Sequence, residues 1–288
     1  IMARLAVTET FFGIQFPGHL HTQDSLQAAT NFPFRPSDVL LVTYPKSGTT
    51  WMQEILTFIH SEGDPEPAKT TPNWARLPWL EHLYNGTLAE TPEPRLLTTH
   101  LPYPALAEAL AKAKPKIRLS NSDQIIILIF FNVNAVFPVP SQFLKSAPRS
   151  LSLPSLPPVH YGSWFEHVKG WLSCQEESNI SYFTYEELHQ DLEGCVERLC
   201  AFLGISVKPE LAEAVRTHCS FASMRENAMV NTTLVPKEIL DPSKGQFMRK
   251  GIAGDWKNHF SAPLSDRFNT KFQEELGSQG QRFRWAMD

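Results

Sequence analysis

The chain has 288 residues, of which 42% are hydrophobic and 19% charged, with a formal net charge of −4. These proportions describe a globular chain of one large domain or two small ones. They exclude a generally basic nucleic-acid binder, so any anion site must be local.

The N-terminal stretch lacks a basic region followed by a long apolar one, which predicts no secretory leader. Residues 10–36 read as irregular. SDVLLVTYP predicts a strand buried on both faces, because its apolar run is continuous rather than alternating. TTWMQEILTFIHSEG predicts a helix with Trp51, Ile55, Phe58 and Ile59 on one face. Residues 61–78 read as a polar, proline-containing loop. PRLLTTHLPY predicts a second short strand ending at His100, and LAEALAKAKPK a helix.

Residues 118–158 change character, being rich in serine and proline and devoid of glycine. Their apolar run IIILIFF is far short of the roughly 20 residues that span a bilayer. After them GSWFEHVKGWLSC predicts a helix, and NISYFTYEEL a strand leading into a helix. DLEGCVERLCAFLGI and PELAEAVRTHCSF predict amphipathic helices. A basic loop, GQFMRKGIAGDWKNHF, and a last helix near DRFNTKFQEELG close the chain. Strands alternating with helices predict an α/β fold: a single domain with a parallel sheet flanked by helices.

Three places carry chemistry. In TYPKSGTTW a strand ends, a glycine turn follows and a helix begins, an arrangement that cradles phosphates. Gly48 permits close backbone approach, Thr49 and Thr50 add hydroxyls, and Lys46 adds a point charge. The plain alternative is a strand-to-helix turn with a solvated lysine. The lysine precedes the glycine, so this is not the GxxxxGK[ST] loop. Without that loop or an evident magnesium aspartate, a nucleotide kinase is disfavoured. His100 ends a strand, where open α/β sheets bind ligands, and a neutral imidazole there can take a proton. By position alone a structural or exposed histidine is the commoner reading. Arg249 and Lys250 precede Gly251 in a loop; arginine suits a doubly bonded phosphate contact, and a solvated basic pair is the alternative. The four cysteines form no CxxC or zinc spacing, which predicts reduced thiols, a cytoplasmic location and no metal.

TYPKSGTTW, TTHLP, YGSWFEHVKGW and RKGIAGDWK, in that order and spacing, resemble the cytosolic sulfotransferases, as do FFGIQFP and LPWLE. The resemblance implies 3′-phosphoadenylyl sulfate as co-substrate and adenosine 3′,5′-bisphosphate as product. It implies that Lys46 meets the oxygen bridging phosphorus and sulfur, and that His100 is the general base. By the same resemblance Ser47, Gly48, Thr49 and Thr50 hold the 5′-phosphate. Trp51, Tyr185, Cys219, Phe221 and Met224 surround the adenine, and Arg249, Lys250 and Gly251 hold the 3′-phosphate. Cys219 stands where the family usually has threonine, which removes a hydroxyl contact. The acceptor is expected to be a small hydrophobic phenol, alcohol, amine or steroid, with Phe12, Phe16, Trp74 and Trp79 as candidate pocket residues. No nucleic acid or membrane partner is expected.

Two departures stand out. The family's R-N-P-K-D stretch, its second 3′-phosphate contact, is absent from 118–158 although the length is kept. A reading-frame change and genuine divergence both account for that. The consequence is weak donor binding, with an inactive nucleotide-binding relative as the alternative function. The family's dimer segment is also degenerate at 257–266, where Ser261, Ala262 and Asp266 replace its key residues and Pro263 lacks an N–H. A homodimer is expected by resemblance and weakened by these residues.

Overall fold

The computed structural model describes residues 2–83, 88–113, 126–131, 160–174, 179–241, 243, 246–258 and 260–280. Two short strands, β1 (Thr8–Phe11) and β2 (Ile14–Pro17), form an antiparallel hairpin, followed by α1 (Gln23–Thr30). Residues 10–36 are therefore not irregular as expected. Thr22 caps α1 reciprocally with Ser25, a local device that short elements need and that a hydrophobic period does not reveal.

The main sheet is parallel and built from β3 (Val39–Thr43), β4 (Leu96–Thr99), β5 (Ile126–Phe131) and β6 (Ile180–Thr184). Its spatial order is β4-β3-β5-β6. The order reverses direction at β3, so a crevice opens beyond the carboxyl ends of β3 and β5. The apolar run at 125–131 thus supplies a central strand, with Leu40 opposite Ile127 and Phe130 opposite Phe183. The rest of the 118–158 segment lies outside the described residues.

β3 is buried throughout. Leu40 and Val42 join one core with α1, α5 (Tyr103–Ala113), α6 (Trp164–Leu172) and α11 (Ala262–Gly280). Val39 and Leu41 join a second core on the other face, with α2 (Thr49–His60), α8 (Leu192–Leu203) and α9 (Pro209–His218). A continuous apolar run is what a strand covered on both faces requires. Beneath the strands Arg95 clasps Asp38 through two hydrogen bonds of 2.8 and 2.6 Å, both side chains being fully buried. This pair joins the entries of β3 and β4; removing one partner would cost about 3–5 kcal/mol.

The 61–78 region carries two short helices, α3 (Glu66–Thr70) and α4 (Asn73–Arg76), rather than a plain loop. Prolines at their starts pre-set the helical φ where no N–H is needed. The same reasoning relieves Pro263, which falls in the first turn of α11, where its missing N–H breaks no helical bond.

Candidate functional site

The turn after β3 contains two left-handed positions, Lys46 at φ 67° and Gly48 at φ 98°. Ser47 N–H donates to the Tyr44 carbonyl at 3.1 Å and closes the turn. Gly48 precedes α2 as its cap position and no side chain caps the helix; Trp51 N–H already donates to the Gly48 carbonyl at 2.9 Å, which leaves the Thr49 and Thr50 N–H groups outside the helical bonding and open to an anion. The Ser47 hydroxyl is buried and has no hydrogen-bond partner among the described residues. An orphaned buried hydroxyl inside an uncapped helix start fits a phosphate.

Lys46 faces solvent within the crevice, with its ammonium 4.2 Å from the centre of the Phe247 ring. The protein crowded around it and the nearby Arg249 charge lower its pKa to about 8.

His100 follows β4 directly. Its Nδ1 lies 2.8 Å from the Thr43 carbonyl, which can only accept, so Nδ1 carries the ring proton and Nε2 the lone pair. The Thr43 hydroxyl is 3.0 Å from the same nitrogen and 2.8 Å from the Thr49 hydroxyl. One residue therefore ties the candidate base to the helix that begins at the phosphate turn. Burial pushes the His100 pKa down to about 4, against a smaller upward pull from the Thr43 carbonyl. The imidazole is neutral near pH 7.

Glu81 fixes the main chain here. His100 N–H donates to Oε1 at 2.7 Å and the Thr99 hydroxyl to Oε2 at 2.9 Å. Burial raises this carboxyl to about 7 despite those bonds. The Pro78–Glu81 segment reaches the site because it runs beside β4, with Leu80 N–H donating to the Thr98 carbonyl at 2.9 Å. Tyr44 hydroxyl donates to the Gly162 carbonyl at 2.8 Å, which holds Tyr161 edge-on to His100 at 5.4 Å.

The third part assembles from distant elements. Trp51 meets Tyr185 at 5.4 Å between ring centres, on α7 (Tyr185–Gln190). His189 of α7 packs against both rings, at 4.9 and 4.5 Å. Phe221 opens α10 (Phe221–Glu226), and a β-carbon at residue 251 would lie 2.0 Å from its ring, so only glycine fits there. Arg249 and Lys250 both bind the buried Asp255, the latter at 2.5 Å. Arg249 acts electrostatically on Lys46 and on Tyr185. Lys46, Trp51, Tyr185, Phe221, Arg249, Lys250 and Gly251 are thus linked by ring contacts, close approach and charge; Ser47 and Thr49 lie buried in the adjoining turn with Gly48, and Thr50 lies in the first turn of α2. Cys219 and Met224 are instead almost wholly buried, and burial raises the Cys219 thiol pKa well above its usual value. Of the candidate acceptor residues, Trp79 meets His100 at 5.9 Å and Phe16 meets Tyr161 at 5.4 Å. Phe12 and Trp74 stand at the surface, 60% and 37% exposed.

Sequence reasoning missed Thr43, Glu81, Phe247, His189 and Asp255. All but His189 lie inside recognisable motifs, but their roles depend on contacts between motifs.

The sulfotransferase domain family model matches residues 36–125 and 130–280. The chain belongs to the sulfotransferase family. It is 37% identical over 282 residues to sulfotransferase 2B1 of Mus musculus, covering 95% of this chain and 81% of that protein. It is 35% identical over 288 residues to the 3-alpha-hydroxysteroid sulfotransferase of Cavia porcellus, covering 96% and 98%. Among solved structures, mouse sulfotransferase SULT7A1 complexed with PAP superposes with a TM-score of 0.69 at 26% identity, covering 96% of each chain. The protein is a sulfotransferase with the α/β fold of that family. An inactive relative is not favoured: the family match resumes at residue 130, and the turn and His100 are both in place. Among the described residues no helix is long and apolar enough to cross a membrane, and no cluster of three or more ligating side chains could hold a metal.

Proposed function

We propose that the protein transfers a sulfuryl group from 3′-phosphoadenylyl sulfate to a hydroxyl of a small hydrophobic acceptor, a steroid or a phenol, in the cytosol. The observation that carries this is the His100 tautomer: Nδ1 is bound to the Thr43 carbonyl at 2.8 Å, so the lone pair sits on Nε2. Nε2 accepts the acceptor's hydroxyl proton as its oxygen bonds to sulfur.

The nucleotide supplies the sulfuryl group when bound, and the bond between sulfur and the bridging oxygen is the one that breaks. Lys46 meets the charge that collects on the departing phosphate oxygen, and the α2 N-terminus with Ser47, Gly48, Thr49 and Thr50 holds that phosphate. Arg249, Lys250 and Gly251 hold the 3′-phosphate, with Asp255 keeping the loop in shape. Trp51, Tyr185 and Phe221 are the aromatic walls for adenine. Cys219 and Met224 support those walls. Because the groups act by position and charge, the transfer is in-line through a loose transition state, by analogy with phosphoryl transfer. The steroid or phenol class draws support from the Cavia porcellus relative and from the apolar Phe16 and Trp79 beside the base. The cytosolic assignment draws support from four cysteines that are all free. The protein forms at most a weak homodimer through 257–266. Incubation with labelled donor and a panel of phenols and hydroxysteroids tests the reading; sulfated product supports it, and nucleotide binding without product on any acceptor overturns it.

A further inference from the structure

Five rings close a circuit around the candidate base. His100 meets Tyr161 at 5.4 Å, and Tyr161 meets His21 at 5.5 Å. His21 meets His82 at 5.1 Å, and His82 stacks on Trp79 at 5.1 Å with the planes 6° apart. Trp79 returns to His100 at 5.9 Å. A wall of apolar rings alone would fit an acceptor with one polar group. Here two members carry a buried polar atom with no hydrogen-bond partner among the described residues, the donor Trp79 Nε1 and a nitrogen of His21, and only the latter is an acceptor. His21 is wholly buried, and its Nδ1 lies 3.0 Å from the Pro17 carbonyl, which only accepts. Nδ1 is therefore the N–H and Nε2 the lone pair. Nε2 is shielded from solvent and has no hydrogen-bond partner among the described residues. Burial lowers the His21 pKa to about 3, so the ring stays a neutral acceptor at physiological pH.

A buried acceptor without a donor is costly unless a ligand satisfies it. We infer that His21 Nε2 accepts a hydrogen bond from a second hydroxyl or N–H of the acceptor molecule, making His21 a specificity-determining residue for substrates that carry two such donors. This rests on the sulfuryl-transfer reading. His100 Nε2 takes the proton of the hydroxyl that is sulfated, and His21, across Tyr161, reads the second donor. The favoured acceptors are dihydroxy steroids or dihydroxy aromatic rings over their one-hydroxyl counterparts.

The test is steady-state kinetics on matched acceptor pairs differing by one hydroxyl, for the full chain and for His21→Phe and His21→Gln. Nucleotide affinity by calorimetry reports whether each variant is folded. The two-donor acceptor should be preferred in kcat/KM by about tenfold or more. His21→Phe should abolish that preference through KM rather than kcat, and His21→Gln, which keeps an acceptor atom, should restore part of it. Equal kcat/KM for both members of every pair overturns the inference while leaving sulfuryl transfer intact, as does a preference that survives His21→Phe. If His21→Phe fails to bind nucleotide, His21→Gln alone decides: full loss of its preference through kcat marks a structural role and overturns the proposal. Absence of transfer to any acceptor overturns the underlying reading instead.

Discussion

Thr43 and His100 meet twice: the Thr43 carbonyl lies 2.8 Å and its hydroxyl 3.0 Å from His100 Nδ1. β3 and β4 are hydrogen-bonded neighbours in register, Val42 opposite Thr99, so the contact follows from the sheet itself. A parallel pair delivers the phosphate turn and the base to the same end of the sheet. The Thr43 hydroxyl then passes to Thr49, the first residue of α2. Catalysis by position needs such rigid placement.

The pH dependence of kcat/KM should reflect the two shifted groups in the free enzyme. His100 works as the neutral base, and burial puts its pKa at about 4, so activity is lost only as pH falls through about 4. Lys46 works as the cation, with a pKa of about 8, so activity declines as pH rises through about 8. Initial rates from pH 5 to 9.5, on protein verified as folded by circular dichroism, check the alkaline limb and the absence of any acid limb above pH 5. An acid limb near 6.5 would contradict the buried neutral base.

Gly251→Ala should weaken nucleotide binding by about tenfold or more, because the added carbon meets the Phe221 ring at 2.0 Å and residue 251 sits at φ 63°. Calorimetry with adenosine 3′,5′-bisphosphate measures it. The same clash and the positive φ should also lower Tm by a few degrees; unchanged affinity would separate Gly251 from the nucleotide site.

Much of this arrangement was legible in the sequence. The unbroken apolar run before TYPKSGTTW marked a strand covered on both faces, and helix periodicity marked α2, α6, α8 and α9. Hidden were the β1–β2 hairpin and α1, short elements defined by a turn and a reciprocal cap. Glu81 was hidden for a different reason. Its two bonds, to His100 N–H and to the Thr99 hydroxyl, arise only because the Pro78–Glu81 segment runs alongside β4. No spacing rule encodes that pairing. His21 was hidden because an unsatisfied ring nitrogen is a property of packing.

The missing R-N-P-K-D stretch should lower donor affinity. By the family resemblance the arginine of that stretch and a serine further on both bond the charged 3′-phosphate; at about 1.5–3 kcal/mol each, losing the two amounts to on the order of 100-fold or more. Restoring the family sequence across 118–158 should tighten binding of adenosine 3′,5′-bisphosphate by that factor in calorimetry. Micromolar affinity of the chain with its present sequence would show that the described contacts suffice.

Stability should fall on mild acidification. His21 and His167 are pushed to about 3 and His100 to about 4, all by burial, whereas unfolded imidazoles titrate near 6.5. Between those limits the unfolded chain binds more protons, so stability is complete above about 6.5 and is lost as pH falls toward 4. Glu81, raised to about 7, acts the other way, since the folded state holds its extra proton between its unfolded value near 4.5 and 7. Three imidazoles outweigh one carboxyl. Thermal unfolding at pH 7 and pH 5 should show a Tm several degrees lower at pH 5; a Tm that is level or higher at pH 5 would refute the neutral buried cluster.

Sulfuryl transfer itself is tested most directly by following labelled sulfate from 3′-phosphoadenylyl sulfate to a hydroxysteroid, in the natural chain and in His100→Ala and Lys46→Ala. The account predicts a sulfated steroid from the natural chain, a kcat lower by about 10²–10⁴ in His100→Ala, and a comparable loss in Lys46→Ala with nucleotide still bound. Transfer that survives in His100→Ala at the natural rate, or nucleotide binding with no transfer to any hydroxyl acceptor, would contradict it.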